Sequence, residues 1–156
     1  MRKGEMVMKP QKQAFKHDPA NGVFGDCHRT AIAMILNLDR DEVPHFMDGV
    51  EMEDHEKVTA MRKAIDDFLA ARGLAEAHCA LDGSLTLEKV LKVSTFWFKG
   101  PVILGGTSTT GVNHSVVVFK GEIHNPNNAE LVGPCDDGYW WFTALAVGEN
   151  WKDSVK

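Results

Sequence analysis

The chain has no long hydrophobic run. Its longest apolar stretch, Ala31 to Leu36, falls far short of the roughly 20 residues that cross a bilayer, so no membrane partner is expected. Its start, Met-Arg-Lys-Gly, is not followed by the apolar core of a secretory signal, and the expectation is a cytoplasmic protein. Cysteine is scarce. Cys27, Cys79 and Cys135 cannot all pair, which argues against a disulfide framework and for free thiols in a reducing compartment. A concentrated basic stripe is missing too. The net charge is −5, and the one basic cluster, Arg2, Lys3, Lys9, Lys12 and Lys16, reads as a solvated tail, so nucleic acid is not an expected partner. There is no internal repeat and no low-complexity tract.

What is present suffices for one domain, since 156 residues bury a substantial core without staples. Residues 1–24 are polar and broken by Pro10, Pro19 and Gly22, and read as an extended arm tucked against a domain spanning 25–156. Asp26 is a candidate N-cap for a helix from Cys27 to about Leu38, apolar nearly all round and therefore centrally buried. Asp39 to Val43 predicts a short helical turn ended by Pro44.

Glu51 to Arg72 carries Val58, Met61, Ile65, Phe68 and Leu69 at helical spacing, with Gly73 just beyond the end. A short strand over Leu74–Leu81 follows, then a helix capped by Ser84 and running through Val93. After that the period changes. Runs at 101–104, 114–119, 122–124 and 139–142 are β-branched or aromatic and separated by glycine-rich turns, which gives an α+β order with a C-terminal antiparallel sheet.

The chemistry starts at Cys27. A helix start leaves backbone N–H groups without acceptors and favours negative charge, so a thiol in the first turn can be held as a nucleophilic thiolate. A two-residue loop at Lys120-Gly121 would set Phe119 opposite Glu122 and Val116 opposite Asn125. Asn125 then becomes the diagonal neighbour of His114, roughly 7 Å away between backbones. Its amide would accept a hydrogen bond from one imidazole nitrogen and leave the other for Cys27, the logic of a Cys-His-Asn triad. The Cys27 N–H and the side chain of Asn21, six residues earlier, are candidate donors for an oxyanion hole. The segment 105–111, with Gly105 and Gly106, together with Asn113 beside His114, is the candidate wall of a substrate channel.

Helix-borne Cys27, an amide six residues ahead of it, His114 opening a strand and Asn125 on the next strand resemble the papain-like cysteine peptidase fold. The likeness is nearest to its small bacterial and phage variants, among them the bacteriocin-processing (C39-type) peptidases. The run from Gly25-Asp26-Cys27 to Pro44-His45-Phe46 looks like small phage-encoded proteins, which would put the chain in a host cytoplasm. The resemblance covers about residues 21–46 and 101–126. It implies a thioester intermediate, a peptide or protein substrate and no metal or organic cofactor. Three positions depart from the pattern: the usual oxyanion glutamine is the shorter Asn21, the C39-type aspartate is Asn125, and His28 follows the cysteine where papain-like enzymes vary. Hydrolysis, deamidation and acyl transfer all share this chemistry, and loops decide among them.

Three other readings stay open. Cys27, His28, His78, Cys79, His124 and Cys135 are zinc-ligand types, but they lack the close paired spacing of structural zinc sites. The aromatic group Tyr139–Phe142 with Trp97 and Phe98 reads as a strand entering the core, with a ligand platform as the rival. His17, His45 and His55 read as surface residues. The whole chain could also be an inactive papain-like scaffold that binds a host protein.

Overall fold

The computed structural model describes residues 8–147, so Arg2 and Lys3 of the basic cluster lie outside the described residues. Among the described residues the chain forms an α+β domain of three α-helices and a six-stranded antiparallel sheet. The helices are α1 (Cys27–Leu36), α2 (His55–Ala70) and α3 (Leu87–Trp97). The strands are β1 (Leu74–Asp82), β2 (Val102–Ser108), β3 (Asn113–Phe119), β4 (Glu122–His124), β5 (Leu131–Gly133) and β6 (Tyr139–Val147). Their order is β1-β6-β2-β3-β4, with β5 paired to the end of β2.

Strand alternation divides the core in two. Ile103 and Val117 face α1 and α2 and join Ala31, Ile32, Met34, Met61, Ile65 and Leu69. Val102, Leu104, Val116 and Val118 point to the other face, where α3 covers them through Val90 together with Trp140 and Phe142. The sheet therefore lies between two helical layers, with α1 and α2 on one face and α3 on the other. Burying a Phe142-sized side chain contributes about 1.5–3 kcal/mol, and Phe142 is wholly buried.

α1 is buried on consecutive positions, Arg29 to Met34, as an all-round apolar sequence demands. It ends at Leu36 because Asn37 takes the left-handed conformation, φ 56°, and turns the chain. α2 starts at His55, where Asp54 accepts a hydrogen bond from the Lys57 N–H at 3.1 Å. It buries Met61, Ile65 and Leu69, one side chain per turn. The Lys120-Gly121 loop has φ of 53° and 76°, the two positive values of a type I′ turn, and sets Phe119 opposite Glu122.

Several local expectations change. The cap of α3 is Thr86, whose hydroxyl accepts from Lys89 N–H at 3.3 Å. Ser84 is instead spent in a turn, its N–H donating to Asp82. α3 then runs on to Trp97, four residues beyond the expected end. The segment 105–108 is strand rather than loop: β2 continues through both glycines, paired with β3 on one side and β6 on the other. β5, three residues long, carries too short an apolar pattern to register in the sequence. His45 is half-buried, stacked on Phe15 at 5.6 Å with its Nε2 donating to the Phe24 carbonyl.

Candidate functional site

Cys27 opens α1, and the residue before it organises the surroundings. Asp26 is fully buried at the cap position, yet its carboxylate caps no helix N–H. It accepts from the backbone N–H of Phe15 at 2.8 Å and of Ala14 at 3.1 Å, and from Arg29 Nε at 3.0 Å. The N-terminal arm is thus tied to the start of α1. Arg29 in turn donates to the Val43 carbonyl, which locks the loop after α1 to the same point.

Burial pushes the Cys27 thiol above its ordinary value, and the charge of Asp26 adds to that push. The Ser115 backbone and hydroxyl and the His28 amide pull the other way without reversing the shift. Part of the residue remains solvent-accessible, but the sulfur titrates in a desolvated setting. The helix-start effect expected from the sequence is outweighed, so the resting sulfur is a neutral thiol.

His114 is 5% exposed and opposes Gly106 across the β2–β3 pair. Its Nε2 lies 2.8 Å from Asn125 Oδ1. The orientation of that amide is fixed from two further directions. Asn127 N–H donates to Oδ1 at 3.0 Å, and Asn125 Nδ2 donates to the Ala129 carbonyl at 2.6 Å. Because Oδ1 can only accept, Nε2 must carry the ring proton, and the lone pair of the neutral imidazole sits on Nδ1. Burial lowers the His114 pKa, while the Asn125 bond raises it in part. The ring rests neutral, as a base must.

The structure brings His114 and Asn125 together, as the β3–β4 register predicts. It brings Cys27 to Ser115, the residue that follows His114. Alternation gives these neighbours different sides of β3: Ser115 shares the α1 side with Val117, and His114 shares the α3 side with Val116. Among the described residues, no hydrogen bond joins the thiol to the imidazole. Asn21 sits in a single 3-10 turn, Pro19–Asn21, and its Nδ2 donates to Asp18 at 2.7 Å, which occupies the side chain considered for the oxyanion hole. The Cys27 N–H remains at the helix start.

The expected channel wall has a packing role in this fold. A Cβ on Gly106 would come within 2.6 Å of the Trp140 ring and 2.7 Å of the Gly133 carbonyl. A Cβ on Gly105 would make ordinary contact with Cys135 Sγ at 3.6 Å. Asn113 is exposed and accepts from the Asp136 N–H.

Two groups escaped the sequence reading. Glu76 of β1 bridges His28 of α1, at 2.8 Å, and His78, at 3.2 Å, an arrangement made across the sheet and invisible to spacing. Asn127 was marked by the Asn-Pro-Asn-Asn run, whose side chains close successive turns on the backbone two residues ahead. Among the described residues, no group of three or more His, Cys, Asp or Glu side chains is arranged to hold a metal ion, and no helix is long and apolar enough to cross a membrane. Comparison with protein-family models, with curated proteins and with solved structures finds no match to this chain.

Proposed function

We propose that the chain is a cysteine-dependent amide-bond hydrolase of papain-like type, with Cys27 as nucleophile, His114 as general base and then acid, and Asn125 orienting the imidazole. The observation that carries this reading is the fixed tautomer. Asn125 Oδ1 at 2.8 Å from Nε2 leaves Nδ1 of a neutral, buried histidine with its lone pair. A cysteine at a helix start lies against the next residue along the strand.

In this reading His114 Nδ1 takes the thiol proton as the sulfur attacks the carbonyl carbon of a peptide or side-chain amide. The oxyanion so formed is met by the Cys27 N–H. The proton passes from His114 to the departing amine as the C–N bond breaks and a thioester forms. Water then attacks the thioester, His114 taking its proton and returning it to the cysteine sulfur as the acid leaves. Because both groups rest neutral, thiol and base ionise together during attack. The reading requires the start of β3 to rearrange when substrate binds, bringing His114 Nδ1 from its own side of the strand to the Cys27 sulfur, a larger movement than the tightening of a catalytic hydrogen bond.

A second reading is favoured by one observation: the neighbours of the thiol are Ser115 and the His28 amide, not the imidazole. On this reading the same domain is an inactive papain-like scaffold that binds another protein. A thiol-directed covalent probe followed by peptide mapping, together with Cys27→Ser assayed on a peptide library, separates the two. The hydrolase reading expects selective labelling of Cys27 over Cys79 and Cys135 and loss of turnover in Cys27→Ser. Equal labelling of all three thiols with no turnover favours the scaffold.

A further inference from the structure

The arm crosses the domain between the two elements that carry the proposed site. Within four residues, 12–15, it touches both. Ala14 and Phe15 donate their backbone N–H groups to Asp26, the residue before Cys27. Gln13 donates its N–H to the Pro126 carbonyl at 2.8 Å, and Lys12 Nζ reaches the Asn125 carbonyl at 3.1 Å.

The side chain of Gln13 goes further. Its Oε1 accepts from Asn127 Nδ2 at 3.0 Å, while its Nε2 donates back to the Phe15 carbonyl. Asn127 has no freedom left: its Oδ1 accepts from the Ala129 N–H at 2.6 Å and its N–H donates to Asn125 Oδ1. That oxygen is the one that holds His114 Nε2. A continuous chain of hydrogen bonds therefore runs from Gln13 through Asn127 and Asn125 to the imidazole, linking groups more than a hundred residues apart.

We infer that Gln13 is a positioning residue for His114, acting through Asn127 to fix the Asn125 amide and hence which imidazole nitrogen carries the proton. This rests on the proposed function for its catalytic meaning, but the geometry it concerns exists without substrate. The arm is mostly exposed and held by polar contacts rather than by apolar burial. Release of residues 12–15 would loosen both the orienting loop and the tie to Asp26.

The test is nitrogen NMR of the histidine rings in the full-length chain. In the wild-type protein His114 is expected as the Nε2–H tautomer alone. Gln13→Ala should give a mixture of tautomers and a lower His114 titration midpoint, because the Asn125 bond that holds the midpoint up is loosened. Gln13→Glu keeps an acceptor for Asn127 and should restore both readings, which a merely structural role for the arm would not predict. If Gln13→Ala does not fold, Asn127→Ser breaks the same link while its hydroxyl can still accept from Ala129, and it should show the same mixture. A single unchanged tautomer and unchanged titration in a folded variant lacking the Gln13–Asn127 bond would overturn the inference. Full turnover by Cys27→Ser alongside a perturbed His114 would overturn the hydrolase reading alone.

Discussion

Asp26 and Cys27 are consecutive in the chain, and the buried carboxylate of the first works against ionisation of the second. Desolvation is the larger part of the upward shift on the thiol, and the Asp26 charge adds to it. Removing that charge stabilises the thiolate. Asp26→Asn should therefore move the pH midpoint of iodoacetamide labelling at Cys27 downward. The same variant breaks the buried Arg29–Asp26 pair and leaves Arg29 only the longer contact to the exposed Asp41 at 3.8 Å, a loss of up to about 3–5 kcal/mol, read by urea denaturation. A labelling midpoint that stays put in folded Asp26→Asn would show that the charge does not reach the sulfur.

Asn125 raises the His114 pKa against the lowering effect of burial. In Asn125→Ala the imidazole loses that support, so its titration midpoint should fall and its tautomer preference should disappear. On the proposed mechanism kcat/KM should drop by about 10²-fold or more, the range for a positioned general base. Asn125→Asp adds a negative charge beside Nε2 and should move the midpoint up. NMR titration of both variants checks the opposite signs.

Glu76 carries a linkage of its own. Burial acts to raise its pKa, but the bond and charge of His28, with further help from His78 and Arg62, leave it below the ordinary 4.5. A carboxylate whose folded pKa is depressed stabilises the fold above its unfolded pKa and loses that contribution as pH falls through the folded value. The wild-type chain should thus lose stability faster than Glu76→Gln as pH drops below about 4.5. Denaturation midpoints across pH 6 to 3 measure this, and parallel curves for the two proteins would contradict it.

Gly106 is required by Trp140. A methyl group there would sit 2.6 Å from the indole ring and 2.7 Å from the Gly133 carbonyl. Gly106→Ala should destabilise the domain by about 1–3 kcal/mol or more, since one obstacle is backbone and cannot swing aside. Trp140→Leu in the same chain should recover only part of the loss, because Gly133 remains. Urea unfolding of the single and double variants supplies the comparison.

Local pattern was enough to read the three helices, the strands other than β5 and the β3–β4 register. Helical spacing in 51–72 and the all-round apolar run at 27–38 are local signals, and the positive-φ pair Lys120-Gly121 fixes which residues face across the hairpin. That register was enough to foresee the contact of His114 with Asn125, because diagonal neighbours on a ladder follow from counting.

What surrounds each of those groups is set by long-range packing. Whether the helix-start field or desolvation governs Cys27 depends on how deeply α1 is packed, and packing depth is not written in a window of residues. That Gly105 and Gly106 extend a strand instead of opening a loop follows from β6 bringing Trp140 and Trp141 alongside them. Glu76 between two histidines and Gln13 behind Asn127 arise from parts of the chain that meet once the sheet has closed. Periodicity reports which face of an element is apolar. It does not report which distant polar group will be folded against the other face, because that choice is made by long-range pairing.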